Sequence, residues 1–110
     1  MSNLIAFDCA PAAGAEVEDA PLICGELLSA LGEARPDLRF VAGRVGSPKA
    51  GFTITYATSR GLGLEATWTN ADGASTTARP LTVSFMDRGS DAILRRSFYN
   101  TFLRENPIPF

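Results

Sequence analysis

Residues 51–87, GFTITYATSRGLGLEATWTNADGASTTARPLTVSFMD, decide the fold of this chain. Apolar and polar side chains alternate through three segments of this stretch, and a period of two residues is typical of strands that bury one face. Turn residues separate the segments, namely Ser59-Arg60-Gly61 and Asn70-Ala71-Asp72-Gly73. The stretch therefore predicts three consecutive antiparallel strands. The expected strands cover residues 52–57, 64–69 and 81–86.

Apolar residues at helical spacing predict one helix before these strands and one after them. The first begins after Asp19, a suitable N-cap, and ends before Pro36. The second follows a turn at Asp87-Arg88-Gly89, takes Ser90 as its N-cap and ends before Pro107. The residues expected to face the sheet are Ile23, Leu27, Ala30, Leu31 and Ala34 in the first helix, and Ile93, Leu94, Phe98, Thr101, Phe102 and Glu105 in the second.

Two shorter strands complete the predicted sheet. Residues 3–9 and 38–45 show strand alternation, and small residues at 10–18 predict a loop after the first of them. The resulting order, β-α-β-β-β-β-α, predicts an α+β fold, with a four- to five-stranded, mainly antiparallel sheet and two helices packed on one face. Because no repeat or linker divides residues 1–110, we expect a single domain.

Composition and charge exclude several classes of protein. Of the 110 residues, 45% are hydrophobic and 20% are charged, as in ordinary globular domains. A net charge of −2 gives no general attraction to nucleic acid or anionic lipid, and no stretch predicts a membrane span. Residues 1–34 carry six acidic residues and no cation, whereas residues 35–110 carry all ten cations. We interpret this asymmetry as solvated faces of opposite sign, with orientation of a partner as the alternative.

Cys9 and Cys24 are the two cysteines of the chain, with 14 residues between them. We predict a disulfide, because it would hold the loop at 10–18, and closing a loop of about 15 residues is worth roughly 3 kcal/mol. Two inert thiols in a cytosolic protein are the alternative, and acidic neighbours disfavour a third interpretation, a reactive thiol at Cys24. Paired cysteines imply a periplasmic or otherwise exported protein, and free thiols imply a cytoplasmic one.

The sequence contains no histidine, which is the commonest general base and the commonest metal ligand. Gly61-Leu62-Gly63 lacks the third glycine, the helix and the lysine of a nucleotide-binding loop, so we interpret it as a hairpin turn. No spacing marks a carboxylate pair for acid–base catalysis. The arginines of the second helix lack the exposed aromatic neighbours of an RNA-binding surface. We therefore expect no catalytic residue, cofactor, metal or nucleic-acid partner.

The three central strands have two unlike faces. Trp68 is in phase with Leu64 and Ala66 and is expected in the core. The opposite, outer face is short-chained and almost uncharged apart from Glu65, whereas a solvated face usually mixes in charges. We predict that the outer face meets a partner protein or a second copy of the chain, with a solvated face of threonines as the alternative. The predicted interface consists of Thr53, Thr55, Ala57, Thr67, Thr69, Thr82 and Ser84.

No stretch matches the motif of a known family. The element order occurs both in small bacterial envelope proteins and in cytosolic adaptors, and a shared order carries no function. We expect a non-enzymatic binding or assembly module of the bacterial cell envelope, stabilised by the Cys9–Cys24 bond. The first alternative is a cytosolic adaptor or chaperone-like dimer with free thiols. The second is a small carboxylate-dependent enzyme.

Overall fold

The computed structural model describes residues 3–85 and 91–110. Six strands and two helices lie in these residues and form an α+β fold, with a mixed, mostly antiparallel sheet against which both helices pack, as predicted. The predicted turn at 87–89 and the predicted N-cap Ser90 lie outside the described residues. The elements are β1 (Leu4–Pro11), α1 (Ala20–Ala34), β2 (Arg39–Ala42), β3 (Lys49–Thr58), β4 (Gly61–Thr69), β5 (Ser75–Thr77), β6 (Leu81–Ser84) and α2 (Ala92–Glu105).

β1 lies inside the sheet and runs parallel to both of its neighbours. The strand order is β2-β1-β3-β4-β5, and α1 provides the crossover that the parallel strands β1 and β2 require. β3 and β4 form the antiparallel hairpin predicted from the sequence. β5 and β6 both pair with β4, on the edge that β3 leaves free. The sequence did not predict β5, because its three side chains are all exposed and show no apolar alternation.

One of the two predicted turns is confirmed and the other is shorter than predicted. In the turn at 70–73, Gly73 N donates to Asn70 O at 2.9 Å, and Gly73 takes a φ of 90°, which glycine adopts without strain. In the hairpin of β3 and β4, Thr58 pairs directly with Gly61, so two residues make the connection. The interpretation of Gly61-Leu62-Gly63 as a turn is therefore wrong, since these residues lie within β4.

A β-bulge at Thr55 changes which residues of β3 face the helices. Before the bulge, Phe52 and Ile54 are buried, as predicted. One extra residue shifts the two-residue period, so Ala57 comes to the core side with only 4% of its surface exposed. Tyr56 turns instead to the outer face. The placement of Ala57 in the predicted interface is therefore wrong.

α1 has the predicted bounds and, except for Ala34, the predicted buried stripe. The Asp19 side chain accepts a hydrogen bond from Leu22 N, which caps the first turn. The helix ends at Ala34, two residues before Pro36, and Ala34 itself is exposed. Its buried residues are Ile23, Leu27, Ala30 and Leu31.

α2 is rotated relative to the predicted orientation. Its N-cap is Asp91, which accepts a hydrogen bond from Leu94 N at 2.9 Å, so the predicted N-cap was one residue too early. Ile93 was expected in the core and is 80% exposed. The rotation turns Arg95 of α2 inward, where it pairs with Glu26 of α1. The buried residues of α2 are Arg95, Phe98, Tyr99, Phe102 and Leu103.

The hydrophobic core lies between the sheet and the two helices and contains residues from both helices. The ring of Phe52 contacts the rings of Phe7, Trp68 and Phe102, with centroids 5.9, 5.6 and 6.0 Å away. Trp68 is 4% exposed, as predicted, and also meets Phe110 edge-on at 6.2 Å. Because burying a large apolar side chain contributes about 1.5–3 kcal/mol, this aromatic group is a major source of stability.

Candidate interaction surface

A disulfide joins Cys9 near the end of β1 to Cys24 in α1, as predicted. The two Cα atoms lie 5.8 Å apart, within the ordinary range for such a bond. The bond ties the central strand of the parallel part of the sheet to the first helix. No free cysteine remains, since the chain has only these two.

The loop that the disulfide closes is also held by the sheet. Ala12 N donates to Ile54 O at 2.9 Å, and Ala57 N donates to Glu16 O at 3.0 Å. Glu18 N then donates to Ala57 O at 2.7 Å. The small residues of 10–18 predicted a loop with little else to hold it. β3 continues past the end of β1 at Pro11, and the loop satisfies the backbone groups of β3 that β1 leaves unpaired. The loop is therefore bound more firmly than its composition indicates.

The structure places six of the seven residues of the predicted interface on the outer face, which is the face of the sheet turned away from both helices. Thr67, Thr82 and Ser84 are exposed there. Thr53, Thr55 and Thr69 are half-buried by their neighbours. Ala57 is the exception, for the reason given above.

β5 enlarges the outer face beyond the predicted set. Ser75 and Thr77 lie opposite Thr69 and Thr67, and residues opposite one another in a sheet share a face. The hydroxyl oxygens of Thr69 and Ser75 are 3.1 Å apart and share a hydrogen bond. This pair of hydroxyl groups is therefore satisfied across the strands, and short side chains leave a low surface.

The charges on the outer face are partly neutralised. Asp8 of β1 and Lys49 of β3 form an ion pair, with Oδ2 and Nζ 3.7 Å apart. Glu65 stands opposite Thr53 and is exposed. A partner would therefore meet small polar groups and few unbalanced charges on this face.

Tyr56 and two glycines close one end of the outer face. A Cβ atom at Gly63 would overlap Thr55 Oγ1 and lie 2.8 Å from Thr82 Cγ2. A Cβ at Gly61 would lie 3.4 Å from the Tyr56 ring and would overlap Val83 O. Thr58 Oγ1 donates to the Tyr56 hydroxyl oxygen at 2.8 Å and fixes the ring. The glycines are needed because the neighbouring strands cover β4 at these points, with the Thr55 side chain at Gly63 and the Val83 carbonyl at Gly61.

Glu26, Arg95 and Tyr99 form a cluster between the helices that the sequence patterns did not predict. Arg95 donates to both carboxylate oxygens of Glu26, from Nε at 2.8 Å and from Nη2 at 2.9 Å. The Tyr99 hydroxyl donates to Oε1 of the same carboxylate at 2.7 Å. Both Glu26 and Arg95 fell outside the apolar stripes expected from periodicity. The one available signal was the spacing of Arg95 and Tyr99, four residues apart beside Phe98 and therefore on one helix face.

The electrostatics of this cluster favour the ion pair. Burial raises the pKa of Glu26, but hydrogen bonds from Arg95 and Tyr99 and the charge of Arg95 outweigh it, so the pKa lies below its ordinary value of 4.5. Burial, followed by the hydrogen bond to Glu26, raises the pKa of Tyr99 above its ordinary range. The carboxylate is thus ionised at neutral pH, and both of its oxygens accept hydrogen bonds from α2. This arrangement joins the two helices.

A phosphate site, a metal site, a membrane helix and a small-molecule pocket each place requirements on the described residues. Arg96 pairs with Glu33 at 2.8 Å, so it is not a free cation for phosphate. Residues 3–85 and 91–110 contain no cluster of three metal-ligating side chains and no helix long and apolar enough to cross a membrane. Cavities of about 100 and 160 Å³ open beside α1. Another, of about 280 Å³, lies beside Arg44 and Lys49 and is open to solvent. The first two are well below the roughly 300–1,000 Å³ of a typical small-molecule site, and the third is just below it.

Comparison with known proteins adds little to this geometry. No protein-family model matches the chain, and no curated protein is significantly similar to it. One solved structure, described as the crystal structure of an uncharacterized protein, aligns with 96% of this chain and 88% of its own length. The two share 12% sequence identity at a TM-score of 0.48.

Proposed function

We propose that this chain is a non-enzymatic binding or assembly module of the bacterial cell envelope, and that it meets its partner through the outer face of its sheet. One observation carries the proposal. Both helices pack on the same side of the sheet, and the other side presents threonine, serine and a tyrosine with few unbalanced charges.

Short hydroxyl side chains suit a surface that is covered part of the time. They lose little rotamer freedom when a partner immobilises them, and they let another surface come close to the backbone. The hydroxyl groups of Thr69 and Ser75 already have a local partner in each other. Desolvation by a partner therefore costs less here than on a face of lysine and glutamate.

The disulfide supports the exported location. Disulfides persist in the periplasm and outside the cell, whereas cytosolic thiols are kept reduced. The alternative of a cytosolic adaptor needs Cys9 and Cys24 as free thiols, and their bonded geometry favours the exported module. The alternative of a carboxylate enzyme is less well supported, because Glu26, the carboxylate with the most partners, is fully engaged by Arg95 and Tyr99.

A charge placed on the outer face tests the proposal. Thr67 is exposed in the middle of β4, so Thr67→Arg is expected to abolish association and to change the free energy of unfolding by about 0.5 kcal/mol or less. Thr55 is less suitable, because it packs over Gly63. The matched control is Asn100→Arg, which adds the same charge on the exposed side of α2.

Association is measured by sedimentation velocity for self-association and by pull-down from the native source for a partner. The wild type and Asn100→Arg should associate equally, and Thr67→Arg should not. If Thr67→Arg is folded and associates like the wild type, the outer face is only solvated and the proposal is wrong.

A further inference from the structure

The free edge of β2 exposes unpaired backbone groups. β2 lies at one end of the strand order and pairs only with β1 among the described strands. Arg39 N donates to Asn3 O at 2.9 Å, so the backbone groups of Arg39 point toward β1. Because successive residues of a strand alternate in this direction, the N–H and C=O groups of Phe40 and Ala42 point away from the sheet. Two donors and two acceptors therefore line the free edge.

The opposite edge of the sheet is blocked at one point. β5 and β6 follow one another along β4 and are separated at 78–80, where Pro80 has no N–H to offer. The Asn106 side chain accepts from Arg79 N at 2.8 Å and donates to Arg79 O at 3.1 Å. At Arg79 a side-chain amide thus takes the place that a further strand would occupy. Such interruptions limit unwanted pairing at a sheet edge, and β2 has no interruption of this kind.

The open edge is basic. Arg39 of β2 and Arg44, in the connection that follows β2, are exposed, and neither forms an ion pair within residues 3–85 and 91–110. Asp8 lines the same cavity as Arg44 but is paired with Lys49 at 3.7 Å. Asp37, the acidic residue closest in sequence to β2, is already paired with Arg35 at 2.8 Å. Residues 38–48 contain no acidic residue. Backbone pairing at this edge would therefore favour a strand that carries negative charge.

We propose that the free edge of β2 accepts an acidic, extended segment of a partner protein as an added strand. The inference rests on the proposed function and identifies the chemistry of the partner. The partner's backbone would bond to Phe40 and Ala42, and its carboxylates would pair with Arg39 and Arg44. A second copy of the chain fits this edge less well, because its own β2 would bring the same two arginines to the contact.

The test uses a synthetic eight-residue peptide, Glu-Val-Glu-Thr-Glu-Val-Glu-Thr, with blocked ends, titrated into the isotope-labelled chain and followed by NMR. The amide signals of Phe40 and Ala42 are expected to shift, since these groups gain hydrogen bonds. The matched peptide with lysine in place of glutamate should bind at least about tenfold more weakly. Equal binding of the two peptides, or no binding of the acidic one, would overturn the proposal.

Variants of the chain separate backbone pairing from charge. Ala42→Pro removes an N–H that points outward and leaves the pairing with β1 intact, so peptide affinity should fall about tenfold or more. Ala42→Val keeps the N–H and should bind like the wild type. Arg39→Glu combined with Arg44→Glu should abolish binding. Should Ala42→Pro unfold, the double arginine variant and a peptide N-methylated at alternate residues decide the same question, since retained binding in either case contradicts an added acidic strand.

The two proposals can fail separately. Loss of natural association in Thr67→Arg but not in Ala42→Pro would support the outer face and refute the edge. The reverse result would support the edge and refute the outer face as the contact surface. Both variants should lose association if the partner adds a strand at β2 and extends across the outer face.

Discussion

Tyr99 donates its hydroxyl hydrogen to Glu26 Oε1 at 2.7 Å and so joins α2 to α1 through a carboxylate that Arg95 also binds. The Glu26 side chain is 23% exposed and that of Arg95 is 11% exposed. Removal of one charge from such a pair leaves the other poorly solvated, which costs more than the intact pair contributes. The cluster therefore fixes how the two helices pack, whatever its net contribution to stability.

The cluster predicts unequal effects for two neighbouring arginines. Arg95→Ala is expected to lower the free energy of unfolding by about 3 kcal/mol, because Glu26 loses its counter-charge in a half-buried site. Arg96→Ala is the control, since its 2.8 Å pair with Glu33 is exposed and should contribute less than about 1 kcal/mol. Urea denaturation of both variants measures the difference. Equal effects would show that Arg95 is solvated like Arg96.

The same cluster predicts a loss of stability in acid. The folded-state pKa of Glu26 lies below its ordinary value of 4.5, so its contribution is complete above pH 4.5 and is lost as pH falls through the folded-state pKa. Unfolding of the wild type and of Glu26→Gln is compared from pH 7 downward. The difference in unfolding free energy should be constant above pH 4.5 and shrink below it. A difference that grows in acid would contradict the lowered pKa.

The disulfide should be complete in protein taken from its native source. Alkylation without reductant should leave the intact mass unchanged, because Cys9 and Cys24 are bonded. The double variant Cys9→Ser, Cys24→Ser is expected to lose roughly 3 kcal/mol of stability in the loop-entropy model. The loss of stability should be smaller if the loop at 12–18 stays bonded to β3 in the unfolded ensemble, because the disulfide then removes less entropy from that ensemble. Two alkylated thiols in the native protein would instead favour the cytosolic alternative.

A methyl group added within β4 should be more harmful than one added to β3. Gly63→Ala would force its Cβ into Thr55 Oγ1 and to 2.8 Å from Thr82 Cγ2, so we expect a loss of about 1–3 kcal/mol. In Gly51→Ala, the Cβ would meet Thr67 O at an ordinary 3.6 Å, and the variant serves as control. Thermal unfolding measures both. Similar melting temperatures would show that Thr55 and Thr82 move aside freely.

Local patterns in the sequence determined much of this protein. Alternation in β3 and β4 predicted their hairpin and the burial of Trp68, because a strand that buries one face must repeat every two residues. Asp19 and Pro36 bounded α1, because capping and the proline restriction act over one turn. The cysteine pair predicted the bond between β1 and α1.

Tertiary structure alone decided the features that depend on distant partners. The bulge at Thr55 exchanges the faces of Tyr56 and Ala57, and this part of β3 pairs both with β4 and with the loop at 12–18. No local pattern encodes these pairings. α2 turns Arg95 inward, because Glu26, 69 residues earlier, neutralises it there. The repeat of apolar residues along a strand or helix determines which side chains share a face of that element. Contacts with distant segments determine where the repeat is interrupted and which face of the element is buried.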